Sequence, residues 1–420
     1  MKKRNMMAML LVLAMEASLL AGCGGKKEET APKETAGNET RAEETKAEET
    51  KGETEETGDA GETAPAETPA EGAAGEGLTF KDPIPVPDEI TTYGPDGNTA
   101  AWYTELALTP EELTQVRSMD LKACFELINA SEWDNANLIG FQDACEAMNI
   151  EIVGQGCCDL DPITQKTNME SFAALNPDIV SCQPQDLDVC APTFDPLWQN
   201  GVKLTFMSNV PTGYTAGKEY VGAITDSIID MGIDSAEMMA DAIGGEGEIL
   251  AITVADVNYV CNTRDQAFLD TIAEKYPDID VVEVGGFSSA SEAGQITSAL
   301  VTKHPNVKGI FVSYSAPCID VLQTVKSLAR TDIKIVTMDL DSTCALDMAQ
   351  GGNIVGIACD MPYAMGYGRA LMAAYGCIGK ECPGYVTSPS FKVTRDNLLE
   401  GYQTSLGIEA PAEVQEALAE

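Results

Sequence analysis

The 420-residue chain is long enough for two or three domains and a sizeable core. It sets 26 Lys and Arg against 67 Asp and Glu, a formal net charge of −41, and holds one histidine, His304. A body this acidic repels phosphate backbones, which excludes nucleic acid as a partner and disfavours polyanionic substrates, and a single histidine leaves little room for His-based metal sites or Ser-His-Asp catalysis.

The charge is unevenly placed. Residues 1–23 carry +2 and residues 24–77 carry 16 acidic against 6 basic side chains, −10, which leaves −33 for residues 78–420. The chain opens on Lys2-Lys3-Arg4, followed by an apolar run from Met6 to Leu20. That run of about 15 residues is shorter than the roughly 20 a membrane-spanning helix needs, and reads as an export signal. The segment Leu19-Leu20-Ala21-Gly22-Cys23 resembles a bacterial lipoprotein signal, which implies lipid modification of Cys23 and a membrane anchor. Residues 24–77 hold no Val, Ile, Leu, Met, Phe, Trp, Tyr or Cys, and repeat units such as Glu43-Glu44-Thr45-Lys46. Nothing there can bury apolar surface, so an extended, disordered acidic linker is predicted.

Residues 78–118 are predicted to be an extension packing on the body. Asp82-Pro83-Ile84-Pro85-Val86-Pro87-Asp88 is extended, and Thr109-Pro110-Glu111-Glu112 has a cap, an N1 proline and a capping-box glutamate. From Leu121 onward one rhythm repeats. Strands are predicted at Leu121–Ile128, Ile150–Gly154, Asp178–Gln183, Val202–Met207, Gly247–Val254, Ile279–Gly285, Val307–Ser313, Ile333–Met338 and Ile354–Ala358. Helical stretches separate them, and in the first Leu138, Phe141, Cys145 and Met148 recur at spacings of three and four. Later helices are predicted to begin near Asp226, Asn262, Ser289, Ala316, Ser342 and Met361. Alternating β and α units predict an α/β fold with parallel sheets covered on both faces, either two doubly wound sheets or one barrel.

Several segments in this order resemble the type I periplasmic binding proteins, specifically the ribose/galactose-type solute-binding subunits of sugar ABC importers. They include Leu121–Ile128 with Asn129-Ala130-Ser131-Glu132-Trp133, then Asn176-Pro177-Asp178-Ile179-Val180-Ser181 and Val221–Asp226. Asn262-Thr263-Arg264-Asp265-Gln266-Ala267-Phe268, Val336-Thr337-Met338-Asp339 and Gly356-Ile357-Ala358-Cys359-Asp360-Met361-Pro362 complete the series. The resemblance spans roughly residues 118–405. It implies two doubly wound lobes, 119–225 plus 361–388 and 226–360 plus 389–420, joined by a three-crossover hinge that closes on a ligand.

Sugar recognition calls for a flat apolar face and paired polar groups for hydroxyls. Trp133 follows a strand's C-terminal end, where open α/β sheets bind ligands, and matches a stacking position of the family. Trp198 reads as core and Trp102 is uninformative. Arg264, with Asn262 read as the helix cap, matches an arginine that grips the sugar, although Ala267 replaces a family glycine. Asp339 ends an apolar strand, where a carboxylate has no place in a core, and matches a hydroxyl acceptor; Asp341 is the alternative. These groups are expected to project from loop edges into an open, solvated cleft. Asp360 stands where the family often has glutamine, and Asn209, Tyr314 and Gln183 match further polar positions.

Removal of Cys23 from the 13 cysteines leaves 12, mostly at positions of small buried hydrophobes, with Cys377–Cys382 the best candidate bridge. Gly244-Gly245-Glu246-Gly247 precedes a strand and reads as a helix-to-strand turn, not a dinucleotide loop. The expected function is a non-enzymatic, monomeric, lipid-anchored solute-binding protein without cofactor or metal. It would sit on the outer face of the cytoplasmic membrane or in the periplasm, and deliver a monosaccharide-like ligand to an ABC permease. The alternatives are a receptor presenting a nucleoside, furanose-like signal or amino acid to a signalling partner, and a secreted glycosidase using paired carboxylates such as Asp339 and Asp360.

Overall fold

Runs of branched and aromatic residues that are buried on both faces become parallel strands, and the amphipathic stretches between them become the helices that cover them. The structure, a computed structural model, describes residues 75–256 and 258–420. The predicted signal with Cys23 and all but the last three residues of the predicted linker lie outside the described residues.

A first set of elements comprises β1 (Ala101–Trp102), α1 (Pro110–Arg117), β2 (Lys122–Leu127), α2 (Glu132–Met148) and β3 (Glu151–Cys157). It continues with α3 (Pro162–Ala174), β4 (Ile179–Cys182), α4 (Ala191–Gln199), β5 (Lys203–Met207) and β6 (Gly222–Asp226). The second set runs through α5 (Ile228–Ile243), β7 (Gly247–Val254), α6 (Tyr259–Lys275), β8 (Ile279–Phe287), α7 (Ala293–Lys303) and β9 (Gly309–Val312). After α8 (Ser315–Ser327), β10 (Lys334–Met338), α9 (Ser342–Ala349) and β11 (Ile354–Cys359) come α10 (Pro362–Ile378) and β12 (Tyr385–Ser388). The chain ends with β13 (Phe391–Val393), α11 (Leu398–Leu406) and α12 (Ala412–Ala419).

Two open sheets result, not a barrel. One is seven-stranded and parallel in the order β1-β12-β6-β5-β4-β2-β3. The other is six-stranded in the order β13-β11-β10-β9-β7-β8, with only β13 antiparallel. The chain passes between them three times, from β6 into α5, from β11 into α10, and from β12 to β13.

Local chemistry sets the element ends. Thr109 and Glu112 form the capping box that starts α1, and Ser131 accepts from the Asp134 N–H to start α2. Gly244 takes the left-handed conformation that ends α5, so the glycine-rich stretch is a helix-to-strand turn. One expected cap is corrected: α6 begins at Tyr259, and Asn258 caps it by accepting from the Cys261 N–H at 3.0 Å. Asn262 lies inside the helix, where its Oδ1 accepts from the Asn258 N–H and its Nδ2 donates to the Val254 carbonyl.

Close helix packing supports the first sheet. A Cβ at Gly366 of α10 would collide with the Asn137 carbonyl of α2, and one at Gly140 with the Tyr363 carbonyl, so both positions need glycine. Residues 78–118 contribute to the same core. Tyr103, Leu106 and Leu108 are fully buried there, β1 pairs with β12, and Thr91 Oγ1 reaches Asp230 of α5 at 3.2 Å. The best candidate bridge does not form: Cys377 and Cys382 are free thiols. Cys377, in the last turn of α10, faces Lys203 and Asp178, whereas Cys382, beyond the Gly379 cap, packs toward Gly222. Among the described residues every cysteine is free, and no helix is long and apolar enough to cross a membrane.

Candidate ligand site at the strand ends

The C-terminal ends of β6, β10 and β11 are each followed by or finish on a carboxylate, Asp226, Asp339 and Asp360, and the chain changes sheets after the first and the last of these strands. Asp339 has a left-handed backbone, φ 64°, a conformation that aspartate tolerates better than most residues and that collects at functional sites. It receives a two-pronged bond from Arg264 in α6: Nη1 donates to Oδ1 and Nη2 to Oδ2, each at 3.0 Å. Such a fork fixes orientation as well as charge. Across from it, Trp133 in the first turn of α2 donates from Nε1 to Asp360 Oδ2 at 2.7 Å. The site therefore joins a side chain from each sheet's helical layer to strand-end carboxylates.

The expected open, solvated setting is corrected. Arg264 is 5% exposed, Asp226 4% and Asp360 2%, because α5, α6 and the strand ends close around them. Burial pushes the Asp360 carboxyl well above the usual range, and Asp339 and Asp226 beside it push the same way, while the Trp133 bond opposes. Asp226 is raised too, first by burial, with Arg264 opposing and Asp339 reinforcing. Burial works against the Arg264 charge, but Asp339, Cys261 and Asp226 hold its proton more firmly overall. Asp226 Oδ2, Asp360 Oδ1 and Arg264 Nε are all buried without a partner.

Among the other predicted residues, Tyr314 caps α8 half-buried, its ring centroid 5.8 Å from that of Phe287. Burial raises its hydroxyl, with Cys261 and Arg264 acting next. Asn209 is occupied elsewhere: its Nδ2 donates to the Pro184 carbonyl at 3.0 Å. The Gln183 backbone carbonyl accepts from Gln165 and Gln185. Asp341 is committed to capping α9, accepting from the Thr343 and Cys344 N–H groups, so Asp339 is the member of the pair that meets Arg264. Trp198 packs beside the core of the first sheet and Trp102 is buried.

Two site residues escaped the sequence reading. Asp226 ends an apolar strand just as Asp339 does, and the same rule would have found it. Glu132 has no such signal; its Oε2 accepts from Ser342 Oγ of α9 at 2.8 Å, a bond that spans the two sheets' helical layers. A separate groove of about 810 Å³ between α5 and α6, lined by Ile229, Ile233, Tyr259 and Asp270 among others, includes none of the strand-end carboxylates. Among the described residues no cluster of three His, Cys, Asp or Glu is placed to hold a metal ion.

Comparison with known proteins agrees with this architecture. Residues 128–381 match the family described as periplasmic binding protein domain. A xylitol-binding protein from Mycolicibacterium smegmatis is 22% identical over 219 residues, 52% of this chain, and the chain spans 61% of that relative's length. Among solved structures, an ABC transporter solute-binding protein from Agrobacterium vitis bound with α-D-tagatopyranose superposes with a TM-score of 0.60. It is 20% identical, covering 69% of this chain and 99% of that one. An arabinose-binding protein from Geobacillus stearothermophilus gives 0.61 at 21% identity, covering 67% and 98%. With the matched region covering more than half of the chain, strands from both sheets and all the strand-end carboxylates, the chain belongs to the periplasmic binding protein domain family, with the fold of sugar ABC-transporter solute-binding proteins.

Proposed function

We propose that this protein is the extracytoplasmic solute-binding subunit of an ABC importer, and that it captures a monosaccharide-like or polyol ligand at the strand-end site and delivers it to the permease. The observation that carries the reading is the Arg264–Asp339 fork together with the Trp133–Asp360 pair at the strand ends. Arg264 Nε, Asp226 Oδ2 and Asp360 Oδ1 are a donor and two acceptors left free for hydroxyls, Trp133 offers an apolar face, and Tyr314 is a further contact. The lobes, 119–225 plus 361–388 and 226–360 plus 389–420, close as units about the three crossovers, without covalent chemistry. Cys23 carries the lipid anchor that holds the monomer at the outer face of the cytoplasmic membrane or in the periplasm. A glycosidase is disfavoured because both Asp339 oxygens are committed to Arg264.

A thermal-shift screen over pentoses, hexoses, polyols, nucleosides and amino acids tests the ligand class. A hundredfold excess of true ligand over Kd adds about 2.7 kcal/mol of stability, a readily measured rise in melting temperature. A response to nucleosides or amino acids alone would replace the sugar reading with the receptor one. An unmodified Cys23 in mass spectra of membrane-derived protein would remove the anchor.

A further inference from the structure

The strand-end site gathers three carboxyls, Asp226, Asp339 and Asp360, around one guanidinium, Arg264. Arg264 is committed through both terminal nitrogens to Asp339. Asp226 and Asp360, each more than nine-tenths buried, have no cation in contact. Thr225 donates one bond to Asp226 Oδ1 and Trp133 one to Asp360 Oδ2, leaving Asp226 Oδ2 and Asp360 Oδ1 without a donor. The neighbouring groups do not help, since Asp265, Cys261 and Tyr314 bring no positive charge. Nearby cations are engaged elsewhere: Lys392 with Asp234 and Glu237, and Arg369 with Asn137 and the Phe125 ring.

Burying an ionised carboxylate without a partner is heavily penalised, and hydroxyls alone could be met by neutral amides at these two positions. Among the described residues no cluster of three His, Cys, Asp or Glu is placed to hold a metal ion, which leaves the ligand itself as the source of a countercharge. We propose that the ligand is an ammonium-bearing, hydroxyl-rich small molecule, such as an amino sugar or aminated polyol, whose nitrogen sits between Asp226 Oδ2 and Asp360 Oδ1. An ammonium has three donors and no acceptor, which matches two unpartnered acceptors, and the free Arg264 Nε–H serves an adjacent hydroxyl. Burial pushes both carboxyls toward the protonated form, with Asp339 and Asp226 reinforcing it at Asp360 and Asp339 at Asp226, so an ammonium that ionises either carboxyl displaces its proton.

The inference rests on the proposed polyol-binding role, and the test separates the two. Calorimetry at neutral pH compares glucamine with sorbitol, 6-amino-6-deoxyglucose with glucose, and putrescine as an amine without hydroxyls. The aminated member is expected to bind at least tenfold tighter, with proton release seen as a dependence of the heat on buffer ionisation enthalpy. Asp360→Asn and Asp226→Asn, each checked for an intact melting transition, should bring that preference close to one. A neutral member that binds as tightly as its aminated partner overturns the ammonium assignment and leaves the polyol reading standing. Binding of putrescine alone supports the ammonium and overturns the polyol reading. No binding by any probe overturns both.

Discussion

Arg264 shows how a residue chosen for ligand contact can also hold the fold. Its guanidinium is buried against Asp339, so truncation leaves the Asp339 carboxylate without its counter-charge, with the Asp226 and Asp360 carboxyls close by. Removing one partner of a buried pair costs about 3–5 kcal/mol, and Arg264→Ala should lose that much in urea unfolding, in addition to ligand affinity. The double variant Arg264→Ala, Asp339→Asn should lose less, because a repelling charge leaves with the attracting one. Titration adds a second residue-scale expectation. Burial lifts Glu126 from 4.5 to about 7 against its bonds from Gln165 and Asn168, and lifts Asp265 from 3.8 to about 6 against its Ser313 bond. Both carboxyls are raised in the folded state. The native chain therefore keeps protons that the unfolded chain releases, and this stability is complete below about pH 4 and lost as pH rises to about 7. Unfolding free energy measured from pH 5 to 8 should show this decline, and a less steep one in Asp265→Asn. An unchanged slope in that variant would contradict the assignment.

At the scale of elements, the contact between α2 and α10 matters most, because α10 is the second crossover and α2 carries Trp133. Alanine favours a helix over glycine by about 1 kcal/mol, so propensity alone predicts that Gly366→Ala stabilises. The neighbouring backbone carbonyl cannot rotate away, and overpacking of this kind costs about 1–3 kcal/mol or more. The net expectation is a lower melting temperature, with Trp133 fluorescence altered as α2 shifts. The 78–118 segment makes a parallel case: Tyr103 and Leu106 belong to the core of the first sheet, although they lie outside the matched region 128–381.

Net charge acts on the molecule as a whole. Residues 78–420 carry −33, and like charges repel most when the chain is compact. Salt shortens the screening length from about 30 Å at 0.01 M to about 8 Å at 0.15 M. Melting temperature should therefore rise with sodium chloride over that range; a fall would mean that the ion pairs, such as Lys392 with Glu237, outweigh the repulsion. The Glu132–Ser342 and Trp133–Asp360 bonds and the reach of Thr91 to Asp230 are among the longer-range ties between the two sheets' elements.

The alternation of buried strands and amphipathic helices was readable from the chain because each signal is local: a run of branched residues, a period of three to four, a capping box at Thr109. So was the rule that a carboxylate ending an apolar strand belongs to a site, which picked Asp339 and would have picked Asp226, whereas Asp360 was picked by the family resemblance. Pairing was not readable. Arg264 and Asp339 lie 75 residues apart, and only the sheet order that sets β10 near the start of α6 brings them together. The same holds for Asp341, which the α9 cap claims, and for Asn262, displaced from its expected cap by four residues of extra helix. Whether the cleft groups were solvated or buried also depended on tertiary packing, because burial is a property of what the remote elements cover, and charge in a covered place obeys different energetics from charge at a loop edge.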